Sequence, residues 1–394
     1  MTLSTTLQPL RRHRARADPH PPTGRDPFFD NAKFLLVVLV VIGHNWAALV
    51  RDMDTAKAAY TVVYLFHMPA FVLLCGLFSR GFTGTGPQIR ALLARVLAPY
   101  LLFTVAYKAL QTLLYDAPFS LTPTEPVYLL WFLVALFLWR ITAPVWRAVR
   151  YPVAVAVLIS LAAGLTGIGY ELALPRVLMF LPWFVLGLRL RPEHFHRLRT
   201  RAVRCLAPPV LLTALGLAYA VAPHLNANWL YMRANNAELH TGSLTYLAIR
   251  LGLFAVSATL TVAFLALVPA RRTVFTALGA ATMFPFLVHG LLVQAGQVYG
   301  AYDLVGRLGA AALPALAVFG VALTLLLSSA PVRRVLRPVV EPGFPRFLTP
   351  GQSSADRRSG PVTSPSPSPS PSPSPSPSPF PSRQDSAREA SSQS

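Results

Sequence analysis

The amino-acid sequence predicts an all-α polytopic membrane protein with about ten transmembrane helices and a disordered Ser-Pro-rich C-terminal tail. Hydrophobic residues make up 54% of the 394 residues and charged residues only 13%, whereas a soluble domain carries about 25% charged residues. Apolar runs long enough to cross a bilayer recur along most of the chain, and arginines concentrate in alternate loops between them. These observations exclude an ordinary soluble enzyme. The two cysteines, Cys75 and Cys205, are too few for a secreted disulfide scaffold.

The helices are predicted from apolar runs, because a helix needs about 20 mostly apolar residues to span the hydrocarbon core. Proline and glycine within such runs are tolerated where neighbouring groups satisfy the freed backbone. The ten predicted spans are approximately Lys33–Val50, Ala58–Leu77, Leu92–Leu114, Pro126–Ala143, Pro152–Ile168, Pro175–Leu188, Cys205–Ala222, Leu244–Val268, Val274–Tyr299 and Leu308–Ser329. The polar segment before them is too long and Pro-rich for a signal peptide, so we expect the first span to remain as an anchor.

The distribution of basic residues predicts the orientation of the helices. With both termini in the cytoplasm, 23 arginines up to Arg346 lie in or beside cytoplasmic segments, and five basic residues lie in external loops. The positive-inside rule therefore favours ten spans with both termini inside. The net charge of +20 then belongs to the cytoplasmic face of the cell (plasma or inner) membrane. The expected partner is the lipid bilayer, and no nucleic-acid partner is expected.

The chain divides into four predicted regions. A basic cytoplasmic segment (1–31) precedes the ten-helix membrane domain (32–330), which is followed by a basic juxtamembrane segment (331–350) and a tail (351–394). The tail contains a Ser-Pro repeat, which cannot bury a core, so we expect it to be extended and disordered. Either a dispensable tail or a target of serine phosphorylation is compatible with this composition.

Ionisable side chains inside apolar helices are candidates for function, because burying them in a bilayer is costly. Lys33 and His44 lie eleven residues apart in the first span. At 100° per residue, this spacing places both on nearly the same helix face, about 16 Å apart along the axis. Asp30, three residues before Lys33, is positioned for a local ion pair. Simpler interpretations are a snorkelling lysine at a helix end and a histidine that bonds a neighbouring helix.

Other polar side chains lie in or beside further predicted spans. His67 in the second span and His289 in the ninth are candidates either for function or for interhelical hydrogen bonds. Asn45 is expected to orient a substrate or to lie at the outer interface, and Arg250 to have a buried partner. No Cys and His pair has zinc-ligand spacing and no phosphate-binding glycine motif is present, so we expect neither a metal nor a nucleotide-hydrolase site.

Four segments carry motifs that together resemble one family. They are R-D-P-F-F-D-N-A-K with a later G-H pair (25–44), F-H-M-P-A-F-V-L-L-C-G (66–76), Y-L-L-W-F-L-V-A-L-F (128–137) and L-G-A-A-T-M-F-P-F-L-V-H (278–289). These motifs resemble the acyltransferase-3 family of membrane O-acyltransferases, especially its fucose 4-O-acetylase-like branch. Lys33 is typical of that branch, whereas Cys75 stands where the family usually has serine.

The resemblance implies transfer of an acyl group, usually acetyl from acetyl-CoA, to a hydroxyl of a carbohydrate or glycosylated acceptor. It implies His44 as the catalytic residue and Lys33 and Arg25 as ligands of the CoA donor, with no tightly bound cofactor. Its substrate-binding or supporting residues are Asp30, Asn31, Asn45, His67, Trp131 and His289.

The Lys33–His44 spacing suits a route for the donor. We expect Lys33 and arginines of the inner loops to hold CoA phosphates while the pantetheine arm extends to His44. His44 then acts as a general base on the acceptor hydroxyl; an acyl-imidazole intermediate is the competing mechanism. We expect external-loop residues to line the acceptor pocket, among them Asn226, Trp229 and Tyr231.

A multi-pass transporter or lipid-linked-sugar flippase is the alternative function. It would also use buried lysine and histidine, but transporters often contain internal repeats, and none is evident between the two halves of this sequence. Acceptor identity, acyl chain length and oligomeric state are left open.

Overall fold

The computed structural model describes residues 26–342, of which 76% are helical, with no β-strand in that range. The first eight helices are α1 (Pro27–Trp46), α2 (Asp54–Phe78), α3 (Gly86–Leu92), α4 (Ala98–Tyr115), α5 (Trp131–Ala148), α6 (Pro152–Ala163), α7 (Leu174–Met179) and α8 (Leu181–Arg189). The other seven are α9 (Pro192–Leu198), α10 (Arg201–Val221), α11 (Ser243–Leu267), α12 (Met283–Val298), α13 (Ala301–Gly306), α14 (Ala312–Leu327) and α15 (Ala330–Val340). Predictions for Arg25, for most of the basic N-terminal segment and for the tail lie outside the described residues.

Within residues 26–342, seven helices are long and apolar enough to cross a membrane. They are Pro27–Trp46, Asp54–Phe78, Gly86–Tyr115, Tyr128–Ala148, Arg201–His224, Ser243–Leu267 and Gly309–Leu327. The consecutive helices α7 and α8, bent by 58°, would form an eighth span if they cross together, whereas α6 and α12 are shorter, with 12 and 16 residues. The all-helical, multi-span class is therefore confirmed, and the count of ten stays a prediction.

Prolines and a close backbone contact explain why some predicted spans are bent or shortened. Pro175 and Pro182 lie in the first turns of α7 and α8, where proline lacks the N–H that would continue a preceding helix. The ninth span, predicted from Val274, begins as an α-helix only at Met283. A 3-10 turn precedes it and packs against the start of α1, so tightly that a side chain on Gly279 would lie 2.2 Å from the Asp30 carbonyl oxygen.

Helix α1 lies inside the bundle and positions both residues of the Lys33–His44 pair. It begins at Pro27 because Asp26 caps it, accepting a hydrogen bond from the Phe28 N–H at 2.9 Å. Every residue from Phe34 to Gly43 is apolar, which is typical of a buried helix, and α1 contacts α2, α12 and α14. Polar groups on α1 are therefore held inside the protein.

Helices α2 and α8 form the most extensive helix pair of the described residues. Two glycines allow the close approach: a side chain on Gly76 would lie 2.0 Å from the Phe184 carbonyl oxygen, and one on Gly187 would lie 2.0 Å from the Leu73 carbonyl oxygen. The pair fixes α2, which carries His67, against the bent segment that follows α7.

Candidate active site

A partly open cavity of about 280 Å³ lies near the C-terminal end of α1. We call it the histidine cavity, because His44 of α1 and His67 of α2 both line it. Half of the other lining residues are aromatic, and the rest are two arginines, one amide and five small or aliphatic side chains: Tyr60, Tyr64, Tyr128, Trp131, Phe132, Phe180, Tyr231, Phe286, Arg176, Arg233, Gln297, Val40, Ala47, Met68, Leu129 and Leu230. The sequence motifs therefore identified two histidines and Trp131 that share one cavity, although they lie on three different helices.

His44 forms a hydrogen bond with His289, which lies behind the wall of the histidine cavity. His44 Nδ1 is 2.8 Å from His289 Nε2, and the two rings stack with centroids 5.1 Å apart. His289 is fully buried, and its Nδ1 is 2.6 Å from the Pro285 carbonyl oxygen. A carbonyl oxygen only accepts, so His289 carries its proton on Nδ1, and its Nε2 must accept from His44 Nδ1–H. The Nε2 atom of neutral His44 is then unprotonated.

His67 is oriented in the same way by its own helix. Its Nδ1 donates to the Val63 carbonyl oxygen at 2.7 Å, and its ring packs edge-on against Tyr64, with centroids 4.7 Å apart. The bond to a carbonyl again leaves Nε2 as the atom without a proton in the neutral ring. The histidine cavity thus holds two imidazoles whose tautomers are fixed by buried hydrogen bonds.

A second cavity, of about 520 Å³, lies at the N-terminal end of α1. We call it the lysine cavity, because Lys33 lines it together with Asp30 and Arg140. The ion pair expected between Lys33 and Asp30 is confirmed, with Nζ 2.8 Å from Oδ1, and Nζ also lies 5.3 Å from the centroid of the Phe78 ring. Arg140 Nε donates to Ser79 Oγ at 3.2 Å. Asp26 lines it as well, so the cavity presents two cations and two carboxylates.

Two phenylalanines separate the cavities. Phe132 of α5 and Phe286 of α12 line both of them, and their rings pack edge to face with centroids 5.5 Å apart. These two rings, which we call the aromatic layer, are therefore the wall residues that the two cavities share.

Asn31 joins the start of α1 to the segment between α11 and α12. Its Nδ2 donates to the carbonyl oxygens of Pro269 (2.9 Å) and Arg271 (3.0 Å), and its Oδ1 accepts from the hydroxyls of Thr273 (3.1 Å) and Thr276 (2.7 Å). The residue is fully buried and lines neither cavity. Its four hydrogen bonds, which we call the Asn31 clamp, therefore support the site by fixing the helix that carries Lys33 and His44.

Asn45 also lies away from both cavities, although it follows His44 in the sequence. Its Nδ2 donates to the Val41 carbonyl oxygen and its Oδ1 accepts from the Tyr302 hydroxyl, both at 2.7 Å. Burial raises the pKa of Tyr302 to about 12, so this hydroxyl remains a donor at physiological pH. Asn45 thus anchors the end of α1 to α13.

Arg250 positions the loop that forms one side of the histidine cavity. It is fully buried in α11, where its Nη1 donates to the Trp229 carbonyl oxygen at 3.0 Å and its Nε to the Tyr246 hydroxyl at 3.2 Å. Its guanidinium also lies over the rings of Trp229 and Tyr246. The buried partners expected for Arg250 are thus aromatic rings and a carbonyl; among the described residues it forms no ion pair.

The predicted acceptor-pocket residues separate in the structure. Tyr231 lines the histidine cavity, whereas Trp229 stacks on Tyr246 behind it and Asn226 caps a short 3-10 turn. The tyrosines of α2 and the arginines of the cavity wall were not predicted as site residues. The two tyrosines lie just before the F-H-M-P motif and the two arginines lie outside all four motifs, so no motif includes them.

The described residues form an all-helical bundle in which several helices are long and apolar enough to cross a membrane. Two oriented histidines face the histidine cavity of this bundle. These features define a polytopic membrane protein with a polar site among its helices. The chain belongs to the acyltransferase-3 family, whose acyltransferase-domain model matches residues 26–333. The match covers nearly all of the described residues, and the protein is a membrane acyltransferase. No curated protein and no solved structure gave a significant match.

Proposed function

We propose that this protein is an O-acetyltransferase that moves an acetyl group from acetyl-CoA to a hydroxyl of a carbohydrate or glycosylated acceptor. The donor enters through the lysine cavity, the acceptor occupies the histidine cavity, and His44 is the general base. The observation that carries the proposal is the bond between His44 and His289. It fixes the tautomer that leaves Nε2 of His44 unprotonated at a cavity of about 280 Å³.

The chemical step follows from that tautomer. His44 Nε2 accepts the proton of the acceptor hydroxyl as its oxygen attacks the thioester carbonyl carbon, and a tetrahedral intermediate forms. The C–S bond then breaks, and the imidazolium returns the proton to the departing thiolate, which leaves as CoA. In the competing mechanism Nε2 itself attacks the thioester carbonyl carbon, the C–S bond breaks, and CoA leaves as the thiolate from an acyl-imidazole. The acceptor oxygen then takes the acyl group from Nε2, and the hydroxyl proton goes to the CoA thiolate. Both mechanisms require Nε2 to be free, and both use His289 to orient the ring.

The lysine cavity suits the phosphates of the donor. Its wall carries two cations, Lys33 and Arg140, and two carboxylates, Asp26 and Asp30. Asp30 pairs with Lys33, whereas Arg140 forms no ion pair among the described residues. The pantetheine arm then has to pass Phe132 and Phe286 to place its thioester near His44, about 16 Å along α1 from Lys33. In this arrangement the two rings move aside when the donor binds.

The finer assignments belong to the same proposal. The Lys33 motif and the F-H-M-P segment favour the fucose 4-O-acetylase-like branch. The alternating arginines favour ten spans with both termini in the cytoplasm of a cell whose plasma or inner membrane holds the protein. Helices α6 and α12 and the bent pair α7–α8 would supply the three spans beyond the seven long ones.

Thiol release from acetyl-CoA by purified membranes, with a cell-envelope extract as acceptor, tests the proposal. Wild-type membranes should consume acetyl-CoA, and His44→Ala should abolish consumption while the protein is still inserted. His224→Ala is the matched control, because His224 is exposed and lines neither cavity. Activity retained by His44→Ala would overturn both mechanisms. Absence of thiol release from wild type with every acyl donor and extract would favour the transporter or flippase alternative.

A further inference from the structure

We infer that the acceptor carries an anionic group, a carboxylate or a phosphate, which Arg176 and Arg233 bind at the histidine cavity. The inference rests on the proposed function, because it names the chemical class of that acceptor. Two cations line a cavity whose remaining wall is largely aromatic. Among the described residues, no aspartate or glutamate lines it, and neither arginine forms an ion pair.

Arg176 is held in place by contacts that leave most of its donors free. Its Nε donates to the Tyr231 carbonyl oxygen at 3.2 Å, and its guanidinium lies over Trp131, 4.7 Å from the ring centroid. Phe180 stacks on Trp131 with centroids 5.5 Å apart. Within residues 26–342 the Nη groups of Arg176 have no hydrogen-bond partner, although they are not enclosed by protein. They therefore face space that a ligand can occupy.

Arg250 has a purely structural role, and its surroundings can be compared with those of Arg176. It is fully buried, lines neither the histidine nor the lysine cavity, and its Nη2 is enclosed by protein. Arg176 and the exposed Arg233 instead line a cavity that holds the proposed catalytic base. A guanidinium presents paired N–H donors that match the two oxygens of a carboxylate or phosphate. Aromatic rings beside such a pair provide apolar faces for a sugar.

The phosphates of the acetyl-CoA donor are assigned to the lysine cavity, not to the histidine cavity. Lys33 and Arg140 line the other cavity, beyond Phe132 and Phe286 and about 16 Å along α1 from His44. A donor whose phosphates bound at Arg176 would leave those two cations without a ligand. The arginines of the histidine cavity are thus better assigned to the second substrate.

Binding of simple sugars to the purified full-length protein, measured by isothermal titration, tests the inference. The probes are methyl β-D-glucuronoside for a carboxylate and glucose 6-phosphate for a phosphate, each compared with methyl β-D-glucoside. At least one charged sugar should bind about tenfold or more tightly than the neutral one, the effect of a charge-assisted hydrogen bond. The stronger of the two charged probes identifies the anion.

Substitutions assign the preference to the two arginines. Arg176→Gln and Arg233→Gln should each reduce the preference for the charged sugar, whereas Arg307→Gln, an exposed arginine outside the cavity, should not. Because Arg233 is exposed, its variant tests the site even if Arg176→Gln does not fold. Equal binding of charged and neutral sugars, no binding of any probe, or a preference unchanged in both variants would overturn the inference.

The outcome is separable from that of the proposed function, because sugar binding requires no acyl transfer. Charged-sugar binding that depends on Arg233, in a protein that releases no thiol from acetyl-CoA, would support the anion site and count against acetyl transfer. Acetyl transfer by a protein that binds charged and neutral sugars equally would support acetyl transfer and count against the anion site.

Discussion

Replacing His289 with alanine should slow acetyl transfer without weakening donor binding. The substitution removes the acceptor of the His44 Nδ1–H bond, which spans 2.8 Å inside the protein. That bond fixes the His44 tautomer, and in the proposed mechanism it becomes stronger when the ring takes a proton in the transition state. A buried hydrogen bond to a charged group contributes about 1.5–3 kcal/mol, so kcat should fall by roughly 10- to 150-fold.

The assay is steady-state thiol release with acetyl-CoA varied at saturating acceptor. The KM for acetyl-CoA should stay within about twofold, because Lys33 and Arg140 line the other cavity. His289→Gln should recover part of kcat, since a glutamine amide oxygen accepts a hydrogen bond at a similar position. Gln294→Leu is the control on the same helix: Gln294 is buried, its Oε1 lacks a partner, and it lines neither cavity.

Two results would refute the reasoning. A folded His289→Ala protein with wild-type kcat would show that His44 needs no partner at Nδ1. A Gln294→Leu protein that loses as much kcat would show that α12 tolerates no change, and that the loss in His289→Ala reports packing.

Three further predictions concern packing, support and donor binding. Gly187→Ala should destabilise the protein by about 1–3 kcal/mol, because its new methyl group would meet the Leu73 carbonyl of α2. The control Gly216→Ala lies at an open position of α10 and should be neutral or slightly stabilising. Thermal melting in detergent measures both variants. Asn31→Ala removes four hydrogen bonds and should lower stability by about 2–4 kcal/mol. The exposed cap variant Asn226→Ala should cost about 1 kcal/mol or less, and equal melting temperatures for these two asparagine variants would contradict the clamp. Lys33→Met should raise the KM for acetyl-CoA about tenfold, and Lys33→Arg by less; an unchanged KM in Lys33→Met would remove Lys33 from the donor site.

Local sequence signals predicted those parts of the fold that depend on neighbours along the chain. Apolar runs located the helices, and the three-residue spacing of Asp30 and Lys33 predicted their ion pair, which forms at 2.8 Å. The late start of α12 was not predicted, because a hydropathy run does not show that the chain around Gly279 packs against the backbone of α1.

Contacts between distant segments could not be predicted in the same way. His44 and His289 were each singled out, but 245 positions separate them, and no periodicity shows that their rings meet. The clamp at Asn31 has no signature either, since half of its partners are backbone carbonyls. The guanidinium of Arg176 lies over Trp131 because α7 packs against α5, a contact between distant segments that composition alone does not show.

The aromatic layer of Phe132 and Phe286 has a consequence for the membrane that holds the protein. An enzyme that admits one substrate at each end of its helix bundle risks becoming a pore for protons and small ions. Moving one elementary charge across a membrane dissipates about 2.3 kcal/mol per 100 mV, and a narrow hydrophobic constriction prevents such flow by excluding water. The two rings, 5.5 Å apart, would insulate one chamber from the other between turnovers. A proton or ion leak is expected in proteoliposomes that contain the double variant Phe132→Ala and Phe286→Ala.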